Sequence, residues 1–413
     1  MISRIAFLIT IMLWLPMFAK GQNNTIISPT ISTLQVVAGD DWLSMPIIDL
    51  DGQNCINISF DDMSHEYKRY AYRVEHCDAK WNPSTELFPS DFCEGFSDGN
   101  IIDDFSESIN TNELYTHYTV AFPNDKCRLK MAGNYRVTIY DENTKDIAAI
   151  ACFGIVDQLV SIRLETTSNT DIDVNGKHQQ INMSLDYGNL RVTNPTAEFS
   201  IRIYQNGSTL MDVKDPTPQT ISHTGLQWLH NRDMIFEAGN EYRKFEVLDV
   251  SHTTMGLESI GWDGKDYHAY VWPDEPRPNY IYDEDANGSF YIRNSDNVEN
   301  NYASQYVWVH FQLQIPRQPF PIYLNGKWTN DQLTDDYEME YNSILQSYEK
   351  KILLKQGYYS YRYVSKDTQG KVFPLPSEGN FFQTENEYQC LIYYKGQGER
   401  TDRLVGYQQV QIR

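Results

Sequence analysis

Apolar and polar residues alternate with a period of two along most of this 413-residue chain, as in β-strands that bury one face. The alternation is clearest at residues 55–60, 70–76 and 135–139. Tyrosine, which packs well on a pleated surface, occurs 29 times. No segment of ordinary helix length shows a 3.6-residue period, so a parallel βαβ fold is disfavoured. The sequence therefore predicts an all-β chain.

Turn-rich stretches divide the predicted strands into three consecutive units, each long enough for one β-sandwich. The first covers residues 28–155 and contains a corner at 131–135 that is typical of a late strand in immunoglobulin-like sandwiches. The second covers residues 156–301 and ends in a linker rich in Asn and Asp, and the third covers 302–413. We therefore expect three immunoglobulin-like or early-set sandwiches in series.

The most specific local signal in the second unit is Asn287-Gly288, which lies between the alternating segments 280–282 and 290–292. A type I′ turn needs positive φ at both central residues, so this pair predicts a β-hairpin. The same stretch matches the first half of a calcium-binding EF-hand loop, but loop position 12 is Asn294 instead of a bidentate Glu. A turn is therefore the favoured interpretation.

The first 21 residues have the layout of a secretory signal peptide. Arg4 precedes an apolar run at residues 5–18, and small residues at 19 and 21 suit cleavage before Gln22. The run is shorter than the roughly 20 residues that a membrane-spanning helix needs. No second apolar run follows it, so we expect a soluble, exported protein without direct lipid insertion.

The charge balance is acidic, with 34 Lys+Arg against 56 Asp+Glu and a net charge of −22. Removing residues 1–21 deletes Arg4 and Lys20, two positive charges, and leaves −24. Such a surface repels phosphate backbones, and basic residues occur at most as adjacent pairs such as Lys350-Lys351. Nucleic-acid binding is therefore disfavoured.

The chain has six cysteines, which would meet an oxidising compartment after export: Cys55, Cys77, Cys93, Cys127, Cys152 and Cys390. They form no C-x-x-C motif, so zinc-ribbon and thioredoxin-like functions are disfavoured. Six cysteines allow about fifteen full pairings, and the candidate bridge is Cys77–Cys93, which would close a short loop. The alternative is that several are buried thiols that pack as small apolar side chains.

The sequence contains no nucleophile elbow, no P-loop and no H-E-x-x-H motif. The pairs Asp61-Asp62 and Asp335-Asp336 could supply two carboxylates for glycoside hydrolysis, but acidic pairs at strand ends are usually solvated. Histidines such as His223 lack the spacing of a helical metal-binding pair. We therefore expect no enzyme activity, no catalytic residue, no metal site and no cofactor.

The third unit resembles early-set immunoglobulin modules at residues 322–330, 348–352 and 357–364. Some modules of that type bind glycans by stacking a sugar on an exposed aromatic side chain, and Trp328 is the candidate for this role. The competing interpretation places Trp328 in the core. An exported glycan-binding β-sandwich protein is thus one alternative function.

Ten blocks, in order along the chain, resemble the plug protein family of the bacterial type IX secretion translocon. They are SFDD (59–62), YRVEHCD (72–78) followed by Trp81, EGF (94–96), YTHY (115–118), FPND (122–125), GNEYRKFE (239–246), PDEPR (273–277), NYIYDED (279–285), LLKQGYY (353–359) and DRLVG (402–406). One block alone would be weak, but the ordered set is specific.

The resemblance implies a non-enzymatic periplasmic protein whose first unit, residues 28–155, is the N-terminal domain of the plug family. Its partner would be the large outer-membrane β-barrel translocon of type IX secretion, and it would seal the periplasmic opening while no substrate passes. The resemblance carries over no individual contact residue. A second alternative, that the chain is itself an outer-membrane barrel, is disfavoured because its predicted strands are shorter than the roughly 9–11 residues needed to cross a membrane.

Overall fold

The computed structural model describes residues 23–188 and 190–412, and within them the prediction of an all-β chain is confirmed. Strands account for 48% of the residues and helices for 5%. The expected signal peptide at residues 1–21 lies outside the described residues. Among the helices that are described, none has the length and apolar character needed to cross a bilayer.

The first sandwich is built from residues 25–156. Its elements are β1 (Thr25–Ile26), β2 (Ile31–Ala38), β3 (Ile47–Asp49), β4 (Ile56–Asp62), β5 (Tyr70–Cys77), α1 (Pro89–Phe92), β6 (Cys93–Gly95), β7 (Asp98–Ile101), β8 (Asp104–Glu107), β9 (Thr116–Phe122), β10 (Cys127–Leu129), β11 (Gly133–Asp141) and β12 (Ile147–Val156). One sheet has the order β1-β12-β11-β5-β7, with β3 parallel to β12, and the other has the order β2-β4-β9-β8. Strands β6 and β10 form a separate two-stranded ribbon.

Alternate residues of these strands fill the space between the two sheets. On β5, Tyr72 and Val74 belong to the core, and on β4, Ile58 and Phe60 do. Because successive side chains of a strand point to opposite faces, Asp61 and Cys77 point away from this core. Both are nevertheless fully buried.

The second sandwich begins with residues 161–237. Its elements here are β13 (Ser161–Thr167), β14 (His178–Asp186), α2 (Pro195–Glu198), β15 (Phe199–Gln205), β16 (Ser208–Lys214), β17 (Thr220–Ile221), β18 (Gly225–Trp228), a 3₁₀ turn (Arg232–Met234) and β19 (Ile235–Glu237). Strands β13-β14-β18-β17, with β19 also on β14, form one of its sheets. The other sheet starts with the pair β15–β16.

The third sandwich follows in residues 243–378. Its elements are β20 (Arg243–Val247), β21 (Leu257–Trp262), β22 (Tyr267–Val271), β23 (Phe290–Ile292), α3 (Asn300–Ala303), β24 (Tyr306–Leu313), β25 (Ile322–Asn325), a 3₁₀ turn (Lys327–Thr329), β26 (Glu340–Asn342), β27 (Ser347–Lys355), β28 (Gly357–Lys366), β29 (Val372–Pro374) and a 3₁₀ turn (Pro376–Glu378). One sheet is β20-β28-β23, with β25 and β29 also on β28, and the other is β21-β22-β24-β27-β26.

The chain then returns to the second sandwich with β30 (Glu387–Tyr394) and β31 (Arg403–Gln411). These strands complete the sheet β16-β15-β30-β31, in which Ile203 of β15 lies opposite Cys390 of β30. The third sandwich is therefore inserted into the second. This differs from the expected units 156–301 and 302–413, because alternation identifies a strand without identifying its partner.

The hairpin expected at Asn287-Gly288 does not form. Both residues have positive φ, 49° and 83°, so the turn itself is present. However, residues 280–282 are not a strand, and β23 pairs with β28 instead. The positive φ angles expected for the turn are thus present, but the flanking segment 280–282 pairs with no strand.

Candidate functional site: the polar junctions between the sandwiches

A buried ion pair joins the first sandwich to the third. The Nζ atom of Lys355, at the end of β27, lies 2.6 Å from Oδ2 of Asp61 on β4. Both side chains are inaccessible to solvent, with exposed fractions of 1% and 0%. The pair is central to what we call the Asp61 cluster, which also contains Tyr115, His117 and Tyr306.

The remaining members of the Asp61 cluster complete the hydrogen bonding of the pair. Tyr306 donates its hydroxyl to Oδ2 of Asp61 at 2.6 Å, and Nδ1 of His117 lies 2.6 Å from Oδ1. The ammonium of Lys355 lies 4.1 Å from the centre of the Tyr115 ring and donates to the carbonyl oxygen of Asn301. A buried charge is tolerated when it is paired and hydrogen-bonded in this way.

Strand register explains how the cluster assembles. Asp61 lies opposite His117 in the pair β4–β9, and Tyr306 lies opposite Lys355 in the pair β24–β27. Opposed residues of antiparallel strands have neighbouring side chains, so each sheet presents a two-residue polar unit. The two units meet where the sheets of different sandwiches pack.

The electrostatics of the pair are those of a desolvated ion pair. Burial works to raise the pKa of Asp61, but the Lys355 charge and the His117 hydrogen bond outweigh it, so the pKa lies below its usual value. Burial lowers the pKa of Lys355, and the Asp61 charge only partly opposes this effect. The arrangement can therefore fix the orientation of two sandwiches through a charge pair that water does not screen.

A second junction joins the first sandwich to the second. Tyr393 on β30 donates its hydroxyl to Oδ1 of Asn134 on β11 at 2.9 Å. The Ser84 and Thr401 hydroxyl oxygens lie 2.6 Å apart, and the Ala79 N–H donates to Asp402. An apolar cluster lies beside these bonds and is formed by Ala79, Val156, Tyr204, Leu391, Tyr393 and Leu404.

A third junction joins the second sandwich to the third. Oδ2 of Asp331 accepts hydrogen bonds from the Thr209 N–H at 2.8 Å and from the Ser208 hydroxyl at 3.1 Å. Its Oδ1 accepts from Asn325 on β25 at 2.9 Å. Every pair of sandwiches is thus joined by buried or half-buried polar contacts, which together favour a fixed arrangement of the three.

The structure does not bring the candidate disulfide partners together. Cys77 lies on the face of β5 that points away from the core, whereas Cys93 lies inside that core. The sulfur in contact with Cys93 is that of Cys127, at 2.8 Å. All six cysteines are free thiols in the structure.

Trp328, the candidate glycan contact, lies in the core of the third sandwich. Its exposed fraction is 7%, its ring is stacked on Phe311, and its indole N–H donates to the carbonyl of Ser360 at 3.1 Å. A sugar cannot reach this ring in the structure. The interpretation of Trp328 as a core residue is the one that fits.

The two acidic pairs do not form a catalytic arrangement. Asp61 is held by Lys355, and Asp62 accepts hydrogen bonds from the Tyr70 hydroxyl and the Ser64 N–H. Asp335 and Asp336 are exposed on a different sandwich. Within residues 23–188 and 190–412, no group of three or more His, Cys, Asp or Glu side chains is placed to hold a metal ion.

The calcium-loop-like segment instead contains a half-buried residue with a desolvated carboxyl group, Asp285. Burial raises the pKa of Asp285 to about 7, although the carboxylate accepts the backbone N–H groups of Asn287 and Tyr242. A folded-state pKa above the usual value favours the protonated form in the fold. The contribution of Asp285 to stability is therefore full below about pH 4 and is lost as pH rises through about 7.

We expect Asp285→Asn to remove this pH dependence. An amide cannot ionise, so the stability of the variant relative to wild type should increase from pH 5 to pH 8, by at most about 1.4 kcal/mol per pH unit. Urea unfolding of both proteins across this range measures the difference. A wild-type-minus-variant difference that does not change with pH would show that Asp285 is ionised throughout.

Sequence reasoning missed Lys355, Tyr306 and His117. Lys355 ends an apolar strand segment, and a lysine in such a position can be buried or can extend to solvent. One feature of the sequence did point to three residues of the Asp61 cluster, however. Asp61, His117 and Lys355 lie in three of the blocks that resemble the plug family, namely SFDD, YTHY and LLKQGYY.

Three β-sandwiches, one inserted in another and all joined through buried polar contacts, define a multidomain β protein with one preferred domain arrangement. The family described as "Type 9 secretion system plug protein 1st domain" matches residues 31–157. The first sandwich of this chain therefore belongs to the type IX secretion plug protein family. The match covers the first sandwich, which agrees with the resemblance found in the sequence.

A solved structure extends the similarity over the rest of the chain. A hypothetical protein from Parabacteroides merdae ATCC 43184 is 38% identical, with a TM-score of 0.91 over 94% of this chain and 99% of that one. The C-terminal domain of the Streptococcus pyogenes antigen I/II-family protein AspA is 8% identical, with a TM-score of 0.17 over 92% of this chain and 99% of that one. No curated protein matches the chain.

Proposed function

We propose that this protein is a periplasmic plug subunit of type IX secretion. It docks on the large outer-membrane β-barrel translocon and seals its periplasmic opening while no substrate passes. The observation that carries the proposal is the match of residues 31–157 to the first domain of the plug family.

The architecture supports this proposal. A protein that closes a wide pore must keep its domains in a fixed arrangement. The Asp61 cluster and the other two junctions oppose movement of the sandwiches against one another. A net charge of −22 favours a polar, reversible interface. Transient contacts of about 800 Å² per partner are ordinary for proteins and would allow release when a substrate arrives.

The alternative function, glycan binding through Trp328, loses its structural basis. That side chain is enclosed by Phe311 and by the backbone at Ser360. Stacking of a sugar needs an accessible ring face, so the alternative would require a different residue.

Affinity purification tests the docking step. A tagged copy of the chain, isolated from detergent-solubilised envelope of its own cells, is expected to bring the translocon barrel with it in a mass-spectrometric readout. Deletion of the gene is expected to raise the permeability of the envelope to large antibiotics, because a fraction of the barrels would stay open.

Complementation supplies the matched control. The full chain should restore the permeability barrier, whereas residues 22–413 without the expected signal peptide should not, because the same folded protein would remain in the cytosol. A barrel that never co-isolates, together with unchanged permeability in the deletion strain, contradicts the proposal.

A further inference from the structure

Two buried thiols touch across the β6–β10 ribbon of the first sandwich. The Sγ atoms of Cys93 and Cys127 lie 2.8 Å apart. In the ribbon, Cys93 lies opposite Leu129 and Cys127 lies opposite Gly95. The two cysteines are therefore diagonal neighbours whose side chains share one face, an arrangement within reach of side-chain contact.

Three of the other four cysteine sulfurs have contacts of a different kind. Cys390 contacts the sulfur of Met183 at 3.4 Å, Cys152 contacts the carbonyl of Asn23 at 3.7 Å, and Cys55 contacts the Asn57 side chain. Among the residues that the structure describes, the sulfur–sulfur contact between two cysteines is found at Cys93 and Cys127.

We propose that Cys93 and Cys127 form a disulfide bond in the exported protein. The inference rests on the export that the proposed function requires, because disulfides form and persist in oxidising compartments. It replaces Cys77 by Cys127 as the partner of Cys93.

The reaction is thiol–disulfide exchange with an oxidant that is itself a disulfide. One cysteine thiolate attacks the oxidant, forms a mixed disulfide and releases one thiol. The second cysteine thiolate then attacks the protein-side sulfur and releases the other thiol. The two cysteines lose two electrons and two protons, and the oxidant is reduced to two thiols.

The bond forms before the first sandwich closes. Cys93 and Cys127 are 3% and 0% exposed in the folded chain, and burial raises the pKa of both thiols, so the reactive thiolate is scarce there. In the unfolded chain the same thiols are accessible. After folding, the same burial shields the disulfide from reductants.

The crosslink has a structural consequence. It ties β6 to β10 and closes the segment that contains β7, β8 and β9. Phe96, next to β6, is 73% exposed, so the crosslink also restrains an apolar side chain on the surface. Closing a loop of this kind restricts the unfolded chain and thereby favours the folded one.

Peptide mapping of protein from the envelope fraction tests the proposal. The full tagged chain is denatured in iodoacetamide without reductant and digested. We expect Cys93 and Cys127 peptides joined by a disulfide, a mass about 2 Da below that of the sum of the free peptides, and alkylation of the other four cysteines. Alkylated Cys93 and Cys127, or a Cys77–Cys93 linkage, would overturn the proposal.

Two variants sharpen the result. Cys93→Ser should make Cys127 available to alkylation, and Cys390→Ser, the matched control, should leave the Cys93–Cys127 linkage intact. A Cys127 that remains protected in denatured Cys93→Ser would mean that it has another partner, which also overturns the proposal. The same preparations are scored for the translocon barrel, so the linkage without the barrel would refute docking while supporting the disulfide.

Discussion

Lys355→Met is expected to lower the free energy of unfolding by about 3–5 kcal/mol, the usual cost of removing one partner of a buried ion pair. The methionine side chain fills much of the same space, so the loss reflects the Asp61 carboxylate, which keeps its burial but loses its cation. Because the chain has three cores, urea unfolding should be followed at several wavelengths and the first transition compared.

Two controls separate the charge effect from a packing effect. Arg163→Met removes a cation from the exposed pair Arg163–Glu165 and should change stability by less than about 1 kcal/mol. Adding Asp61→Asn to Lys355→Met should recover part of the loss, because the unpaired charge is then gone. If Lys355→Met behaves like Arg163→Met, the pair is not buried in solution.

Trp328→Ala is the second change with a large expected effect, a loss of about 3–5 kcal/mol of unfolding free energy. The substitution removes the ring that stacks on Phe311 and leaves the carbonyl of Ser360 without the indole N–H donor. Thermal or urea unfolding, combined with near-ultraviolet circular dichroism of the third sandwich, measures the change.

Trp272→Ala provides the matched control, because Trp272 belongs to the same sandwich and is 58% exposed. We expect a change within about 0.5 kcal/mol for it, as for most surface substitutions. Equal effects of the two tryptophan substitutions would contradict the core position of Trp328. Retained stability together with lost glycan binding in Trp328→Ala would restore the sugar-binding alternative.

The sequence was sufficient to predict strands and was insufficient to predict their partners. At β4, the period of two correctly places Phe60 in the core and Asp61 on the opposite face. An acid at a strand end is usually solvated, so the burial of Asp61 could not be foreseen. The residues that cover it, Tyr306 and Lys355, lie 245 and 294 positions away along the chain.

The position of Trp328 could not be predicted from the sequence for a different reason. It lies on a short 3₁₀ turn, where neither strand nor helix periodicity applies, so the sequence pattern gives no information on which way its ring points. The sequence pattern also could not predict which cysteines lie together, because this depends on how β6 and β10 pair. The family blocks were informative because they depend on residue identity and order and not on periodicity.

The inserted third sandwich also constrains the order in which the chain can fold. A chain that emerges N-terminus first presents β15 long before β30, and an unpaired strand edge invites aggregation. The third sandwich is contiguous in sequence, and its two ends meet again, since the Gly239 N–H donates to the side chain of Asn380 at 2.7 Å and the Phe381 N–H to the carbonyl of Gly239 at 2.8 Å.

Folding of the third sandwich therefore brings β30 back to the place where β19 ended. This shortens the effective loop between β15 and β30 and lowers the entropy cost of pairing them. We therefore expect the second sandwich to be the last of the three to become complete, because its sheet needs the C-terminal strands β30 and β31.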